Sequence, residues 1–302
     1  MPAPRIRQAR ADDRDDVVAF TRETWSDRDV DDYIPRVFEE WIEADGPEQR
    51  TVVAEIDGTA VGICQGVVLS EHEAWLQGMR VDPDHRGAGV ALSMMEALLA
   101  WARKQGASVA RDMVFSWNDG GLGLSRAAGF GAATEGRWAQ PAPDPSASPD
   151  LELFDDPDAA WGHWQRSDAR DLLSGLGVDP DEPWSLSEIT RERFRSGCER
   201  VIALGDEAGT RATTARIRRR EREVEGGGTE TWAVYGHSSW DSPDAARALF
   251  DAIAADAADL GVDHTRVLIP ETCRHVSEAA AADGRISDEP FFVLEADLTG
   301  PP

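Results

Sequence analysis

The chain has 302 residues and is 41% hydrophobic, enough for two globular domains and too apolar for a disordered polymer. Its 57 acidic residues against 31 basic ones give a net charge of −26, a field that argues against nucleic acid as a partner. No apolar run reaches the roughly 20 residues that cross a bilayer, and Met1–Arg5 opens no signal sequence, so no membrane partner is expected and the expected location is the cytoplasm.

Residues 5–10 read as a short strand around Ile6. Asp12 or Asp13 then caps a helix through Val17, Val18 and Phe20. Val37, Phe38, Trp41 and Ile42 predict a second helix over about 30–44. Thr51–Ile56 and Ala60–Leu69 form a hairpin turning at Asp57-Gly58. A strand over Ala74–Val81 runs into the turn Asp82-Pro83-Asp84 and a glycine loop. The following helix, about 89–104, places Leu92, Met95, Leu98, Leu99 and Ala102 on one face and stops at Gly106. Ser108–Phe115 is a strand, 120–128 a short helix, and Phe130–Trp138 another strand.

Residues 139–149 carry four prolines among small residues, the composition of an extended linker. The expected division is 1–140 as one domain, 141–150 as linker and 151–302 as a second domain. The second half repeats the order of the first. A helical stretch over 159–173 precedes strands at 200–204, 212–218 and 231–236. A helix over 243–260, a strand over 265–269, a helix over 272–282 and a strand over 291–295 complete it. The pattern is a mixed α/β (α+β) architecture in two tandem copies.

The chemistry concentrates at Arg86-Gly87-Ala88-Gly89-Val90-Ala91. Backbone N–H groups at a helix start have no intrahelical partner and lie at the positive end of the helix dipole. Phosphate binds there, and Gly87 and Gly89 let the chain approach it closely. Ala91 is small enough not to block the approach, and Arg86 adds charge.

This segment resembles the (Arg/Gln)-x-x-Gly-x-(Gly/Ala) signature of the GNAT N-acetyltransferase superfamily, with Arg86, Gly89 and Ala91 at the fixed positions. The resemblance covers roughly residues 5–140. It implies a GNAT fold, a mixed central sheet flanked by helices, with acetyl-CoA as co-substrate. It implies that Met79 and Val81 pair with the pantetheine arm, the N–H near Met79 polarising the thioester. It also implies direct transfer to an amine of a small molecule or a peptide. Asn118-x5-Leu124 and Gly129-Phe130 resemble a second family segment, which would bring Asn118 to the pantetheine or the CoA arm. Ser125 stands where that segment usually has the tyrosine that protonates the leaving thiolate. A serine is too short to replace it, so Ser125 is not expected to be an essential acid. Glu73 is the candidate base, with Glu71 and His72 as alternatives. Tyr33 and Tyr235 are expected to be packing residues.

The second half has no such loop. Asp241-Ser242-Pro243 opens its helix, with Asp241 or Ser242 as cap, so this degenerate copy is not expected to bind CoA. Arg216–Arg222 is the one basic cluster, expected to be ion-paired within the acidic chain and otherwise an anion or nucleic-acid site. Histidine and cysteine spacing gives no metal site. An alternative reading of the whole is a non-catalytic acyl-CoA-binding or regulatory module; another is a tandem synthase for a small thiol or sugar amine.

Lys104 is the only lysine, and acidity spread along the chain gives a halophile-like composition. At 0.01 M salt the Debye length is about 30 Å, so the carboxylates repel one another and oppose the compact state. The melting temperature is therefore expected to rise steeply from about 0.05 M to about 3 M potassium chloride, since already at about 1 M the screening length is about 3 Å. A flat profile in circular dichroism would return the acidity to a role in attracting a cationic substrate.

Overall fold

The computed structural model describes residues 3–22, 24, 32–224 and 228–300. The first half contains β1 (Arg5–Gln8), α1 (Arg14–Thr21), α2 (Ile34–Ala44), β2 (Gln49–Ile56), β3 (Thr59–Val68) and β4 (Glu73–Val81). It continues with α3 (Val90–Lys104), β5 (Val109–Phe115), α4 (Asp119–Ala127) and β6 (Gly131–Ala139). The second half contains β7 (Glu152–Phe154), α5 (Pro157–Trp164), α6 (Asp168–Leu172), β8 (Leu176–Val178), β9 (Leu186–Glu188) and α7 (Arg191–Ser196). Then come β10 (Arg200–Asp206), β11 (Gly209–Val224), β12 (Gly228–Trp240), α8 (Pro243–Leu260), β13 (His264–Pro270), α9 (Cys273–Ala281) and β14 (Phe291–Asp297).

The chain forms two compact units. Unit one comprises residues 1–114, 118–132 and 294–302, and unit two comprises 115–117 and 133–293. Both are discontinuous in sequence. The proline-rich segment is extended but anchored within unit two: Asp144 N–H donates to the Ala254 carbonyl at 3.0 Å, and Thr265 Oγ1 donates to the Pro141 carbonyl.

In unit one the strand order is β1-β2-β3-β4-β5, then the closing residues of β14. β1 to β4 pair antiparallel, while β4 and β5 pair parallel with α3 as the crossover. Val17, Phe20, Ile34, Phe38 and Trp41 of α1 and α2 meet Val53 and Ile63 of the sheet in one core. In α2 the buried positions 34, 38 and 41 recur at helical spacing, and a proline begins the helix. The described part of this helix starts at Ile34; positions 30 and 31 of the expected range lie outside the described residues.

Two local expectations change. Asp13 precedes α1 but makes no side-chain cap. Its carboxylate instead takes Arg7 at 2.6 and 2.7 Å and the Arg10 N–H at 2.8 Å, because a guanidinium fork outcompetes a single helix amide. On α3 the fully buried face includes Met94, while Leu92 is only half-buried: a helix lying flat on a sheet buries a wide stripe.

Unit two repeats the arrangement. Its strand order is β6-β13-β12-β11-β10-β7, with the opening residues of β14 beside β6, and β12 pairs parallel with β13 across α8. Ser242 caps α8 and Pro243 takes its first turn, while Gly261 ends it with φ +68°. β8 and β9 form a separate two-stranded ladder, and with α7 they occupy a stretch between the expected elements at 159–173 and 200–204.

Leu294 and Leu298 are buried in unit one, and Glu295 Oε2 accepts from Arg111 Nε at 3.1 Å. Each buried leucine contributes about 2–5 kcal/mol against a whole-domain stability of about 5–15 kcal/mol. A chain ending at Val293 should therefore lose the cooperative unfolding of unit one. An unchanged urea midpoint, read by circular dichroism, would show that the final segment is dispensable.

Candidate active site in unit one

The loop after β4 begins with one 3-10 turn, Pro83–His85, capped by Asp82 through the Asp84 N–H at 2.9 Å. Gly87 and Gly89 have φ of +73° and +77°, the left-handed region that glycine enters without strain. A Cβ at either position would meet nothing within 4 Å, so the face they present is open. Gly89 stands at the N-cap of α3 and supplies no capping side chain. The first amides of α3 thus face that open side. Val90 is buried beneath them and Ala91 half-buried. Arg86 is exposed, its Nε donating to the Val81 carbonyl at 3.3 Å, which holds the guanidinium at the loop mouth.

The strand leading in is interrupted twice. Its pairing with β5 runs from Glu73–Val109 to Leu76–Asp112 and ends there, so Gln77–Val81 of β4 lie beyond the shared ladder. Its pairing with β3 shifts between Ile63 and Gln65: Gln77 faces Gln65 but Arg80 faces Ile63, leaving one extra residue on β4. That bulge contains Gly78, at φ +66°, and Met79. A Cβ on Gly78 would lie 2.3 Å from the Trp41 ring, so only glycine fits. Strand, bulge and loop therefore form a parted edge that leads into an uncapped helix start.

Residues 11–130 match the model of the acetyltransferase (GNAT) family. These residues form a GNAT acetyltransferase domain. The likeness of fold extends further along the chain. The chain is similar to a GCN5-related N-acetyltransferase from Sphaerobacter thermophilus at 14% identity, over 99% of this chain and 97% of that one, with a TM-score of 0.63. It is also similar to a tandem GNAT protein from the clavulanic acid biosynthesis pathway at 13% identity, over 99% of each chain, with a TM-score of 0.55. At these identities the likeness is one of fold: GNAT folds in tandem.

At the apex of the parting in the GNAT domain lies a polar cluster that sequence reading missed. Asp112 is 7% exposed, and its Oδ2 accepts from Ser125 Oγ at 2.6 Å. Its other oxygen, Oδ1, is buried without a hydrogen-bond partner. Burial pushes the carboxyl up to about 7, against the weaker opposing effect of the Ser125 hydroxyl. The neighbouring Cys64 thiol is pushed up to about 12 by its own burial and by Asp112, so it is an inert core thiol. Ser125 is 1% exposed and also donates to the Gly121 carbonyl at 3.1 Å. The residue in the tyrosine position is thus tied to a carboxyl on the adjacent strand.

The other expected residues fall as follows. Glu73 opens β4 and is 2% exposed; its Oε1 accepts from Arg111 Nη1 at 2.7 Å and its Oε2 from Ser70 Oγ at 2.9 Å. Glu71 and His72 are exposed beside it. Asn118 is the N-cap of α4, its Oδ1 accepting from the Gly121 N–H at 2.9 Å. Gly129 turns the chain at φ +91° and Phe130 is core. Tyr33 packs edge-on against Trp41 and under the Arg80 guanidinium, which pairs with Asp32 at 2.6 Å. Tyr235 is buried in unit two, its hydroxyl donating to Asp256 at 2.7 Å, so both tyrosines pack.

A carboxyl raised by burial keeps its proton in the native state after the unfolded chain has released it. Native stability therefore falls as pH rises from about 4 to about 7 and then levels off. Asp112→Asn removes that dependence. The variant should be more stable than the parent near pH 8, by on the order of a few kcal/mol, and melt correspondingly higher, with the gain vanishing near pH 4. Parallel melting curves across that range would show that Asp112 is charged in the folded protein.

Proposed function

We propose that unit one transfers an acetyl group from acetyl-CoA to the amine of a small molecule or peptide. The observation that carries this reading is the parted edge of β4 running into an α3 start that no side chain caps. A pantetheine arm fits such an edge as an added strand along Met79 and Val81. The amides of residues 86–91 suit its pyrophosphate, with Arg86 as a neighbouring cation. The bulge at Gly78–Met79 re-aims a backbone N–H at the position of the thioester carbonyl.

In this reading the amine nitrogen bonds to the carbonyl carbon and the carbon–sulfur bond breaks. The surplus proton on nitrogen leaves through water, and the sulfur takes a proton. Asp112, about half protonated near pH 7 and at the apex of the parting, is the group we assign to supply that proton, water restoring it afterwards. Ser125 positions Asp112. Glu73 anchors Arg111, so this reading moves the base from Glu73 to water. In unit two the Ser242 hydroxyl takes the Ala245 N–H, which supports a single CoA site per chain.

Gly89→Glu places a carboxylate where pyrophosphate is expected. Titration calorimetry at high salt should show one acetyl-CoA site in the parent and none in the folded variant; undiminished affinity would sink the assignment. Thiol release with a panel of amines reads turnover, and Asp112→Asn should lower it at least a hundredfold, the low end for a general acid. Binding without turnover on any amine would identify an acyl-CoA-binding module instead.

A further inference from the structure

The basic cluster of β11 divides in two. Arg216 pairs with Asp256 at 2.7 Å and with Glu199 at 3.1 Å, and Arg219 approaches Glu199 at 3.6 Å, as expected within an acidic chain. Arg218 and Arg220 behave differently. Among the described residues neither forms an ion pair with a carboxylate, and neither does Arg266 of β13.

These three arginines share one face of the unit-two sheet. Arg218 lies opposite Val234 and Arg220 opposite Trp232, while Val234 lies beside Arg266. Paired residues project to the same side, and so do residues two apart on a strand. Leu268 is two residues beyond Arg266 and faces Trp138, which adds Trp138 to that side. The Arg266 guanidinium carbon lies 5.3 Å from the Trp138 ring, 5.3 Å from Trp232 and 4.1 Å from Trp184. Trp184 comes from the loop between β8 and β9 and holds φ +69°, a conformation costly for a bulky side chain.

The Nε atoms of Arg218 and Arg266 are both buried and lack a hydrogen-bond partner. The Arg218 Nη groups reach only the backbone carbonyls of Asp179 and Glu182. Arg266 faces Arg218, Arg220 and Arg222, with Glu289 as the opposing acid, and burial together with those cations lowers it to about 9. Arg218 and Arg220 are also lowered, by burial first. Desolvated like charges are unfavourable, and a chain of net charge −26 has carboxylates to spare for neutralising them. On this face acids act only from a distance, Glu289 on Arg266 and Asp179, Asp181 and Glu182 on Arg218.

We propose that this face of unit two, built on Arg218, Arg220 and Arg266 with the tryptophans around them, binds a small phosphate-bearing anion. Guanidinium forks match phosphate oxygens two at a time, and several forks on one face favour a doubly charged group over a single carboxylate. The aromatic rings spread the charge of Arg266 and exclude water, which strengthens its attraction for an incoming anion. The site is independent of acetyl transfer: it lies in the unit whose helix start is capped.

Pyrophosphate also suits the loop at residues 86–91, so the test uses the Gly89→Glu background. There, titration of inorganic phosphate and of pyrophosphate, at ionic strength held constant with potassium chloride, should give one site per chain and a change in tryptophan fluorescence. Arg220→Gln, at a half-exposed position, should weaken it about tenfold or more, the loss of one charge-assisted contact. Arg266→Gln should abolish it, and Trp184→Phe should reduce the fluorescence change while keeping the binding. Succinate at the same ionic strength should bind more weakly than pyrophosphate. Absence of binding, equal binding of succinate, or undiminished affinity in a folded Arg220→Gln variant would each overturn the proposal. Loss of acetyl-CoA binding in the parent would leave this result untouched, since the two sites are read separately.

Discussion

The end of the β4–β5 ladder at Leu76 and Asp112 is the constraint on which unit one depends. A parallel pair that stops in mid-sheet leaves main-chain donors and acceptors in need of partners. The bulge at Gly78 arises on the same strand, where Trp41 occupies the space a side chain would need. α2 therefore fixes the irregularity from one side of the sheet while α3 begins just beyond it. Asp112 owes its position to the same parting. It sits on the last paired row, deep enough to lose water, and the Ser125 hydroxyl takes only one of its two oxygens. A fully paired strand would have no use for a buried carboxyl there, and burial without pairing is what keeps its proton.

Charge is matched at several interior arginines elsewhere in the molecule. Arg7 is matched by Asp13 and Glu55, Arg111 by Glu73 and Glu295, and Arg137 by Glu271. Such pairs fix geometry, because the loss of either partner strands a buried charge. With so many carboxylates available, an unmatched arginine reflects placement rather than shortage. The face that gathers Arg218, Arg220 and Arg266 differs from these pairs, and the difference coincides with a strained tryptophan and with two buried guanidinium nitrogens that have no acceptor. Three anomalies of different physical kinds in one place are harder to ascribe to packing than any one alone.

The loop was legible in sequence because its physics is local: glycines for positive φ, a helix start without a cap, an arginine beside them. Helices α3 and α8 were legible for the same reason, through spacing and end signals. The parting of β4 and β5 was not, since it depends on which residues of two distant strands are paired, and alternation looks the same whether a ladder continues or stops. Asp112 was hidden in the strand Val109–Phe115, where a single acid reads as one solvent-facing position. Ser125 looked like a loss when compared with a tyrosine, and its meaning appears only with its partner 13 residues earlier in the chain. Glu73 was singled out for its place at the head of a strand, but Arg111, which occupies it, lies 38 residues away. β8 and β9 are three residues each, too short to carry a period.

The discontinuity of the units bears on why a copy without a glycine loop persists. Unit one takes residues 294–302 from the end of the chain, and unit two takes 115–117 from within the first half. Contacts of this kind close loops of nearly two hundred residues, as the bond from Arg111 to Glu295 does across 184 positions. Closure entropy grows only with the logarithm of loop length, so the cost in stability is modest while the cost in folding speed is larger. Unit one cannot complete its sheet until the last strand of the chain has been made. The second half therefore contributes structure to the first whether or not it retains a ligand of its own, so it can do without a glycine loop but not without β14.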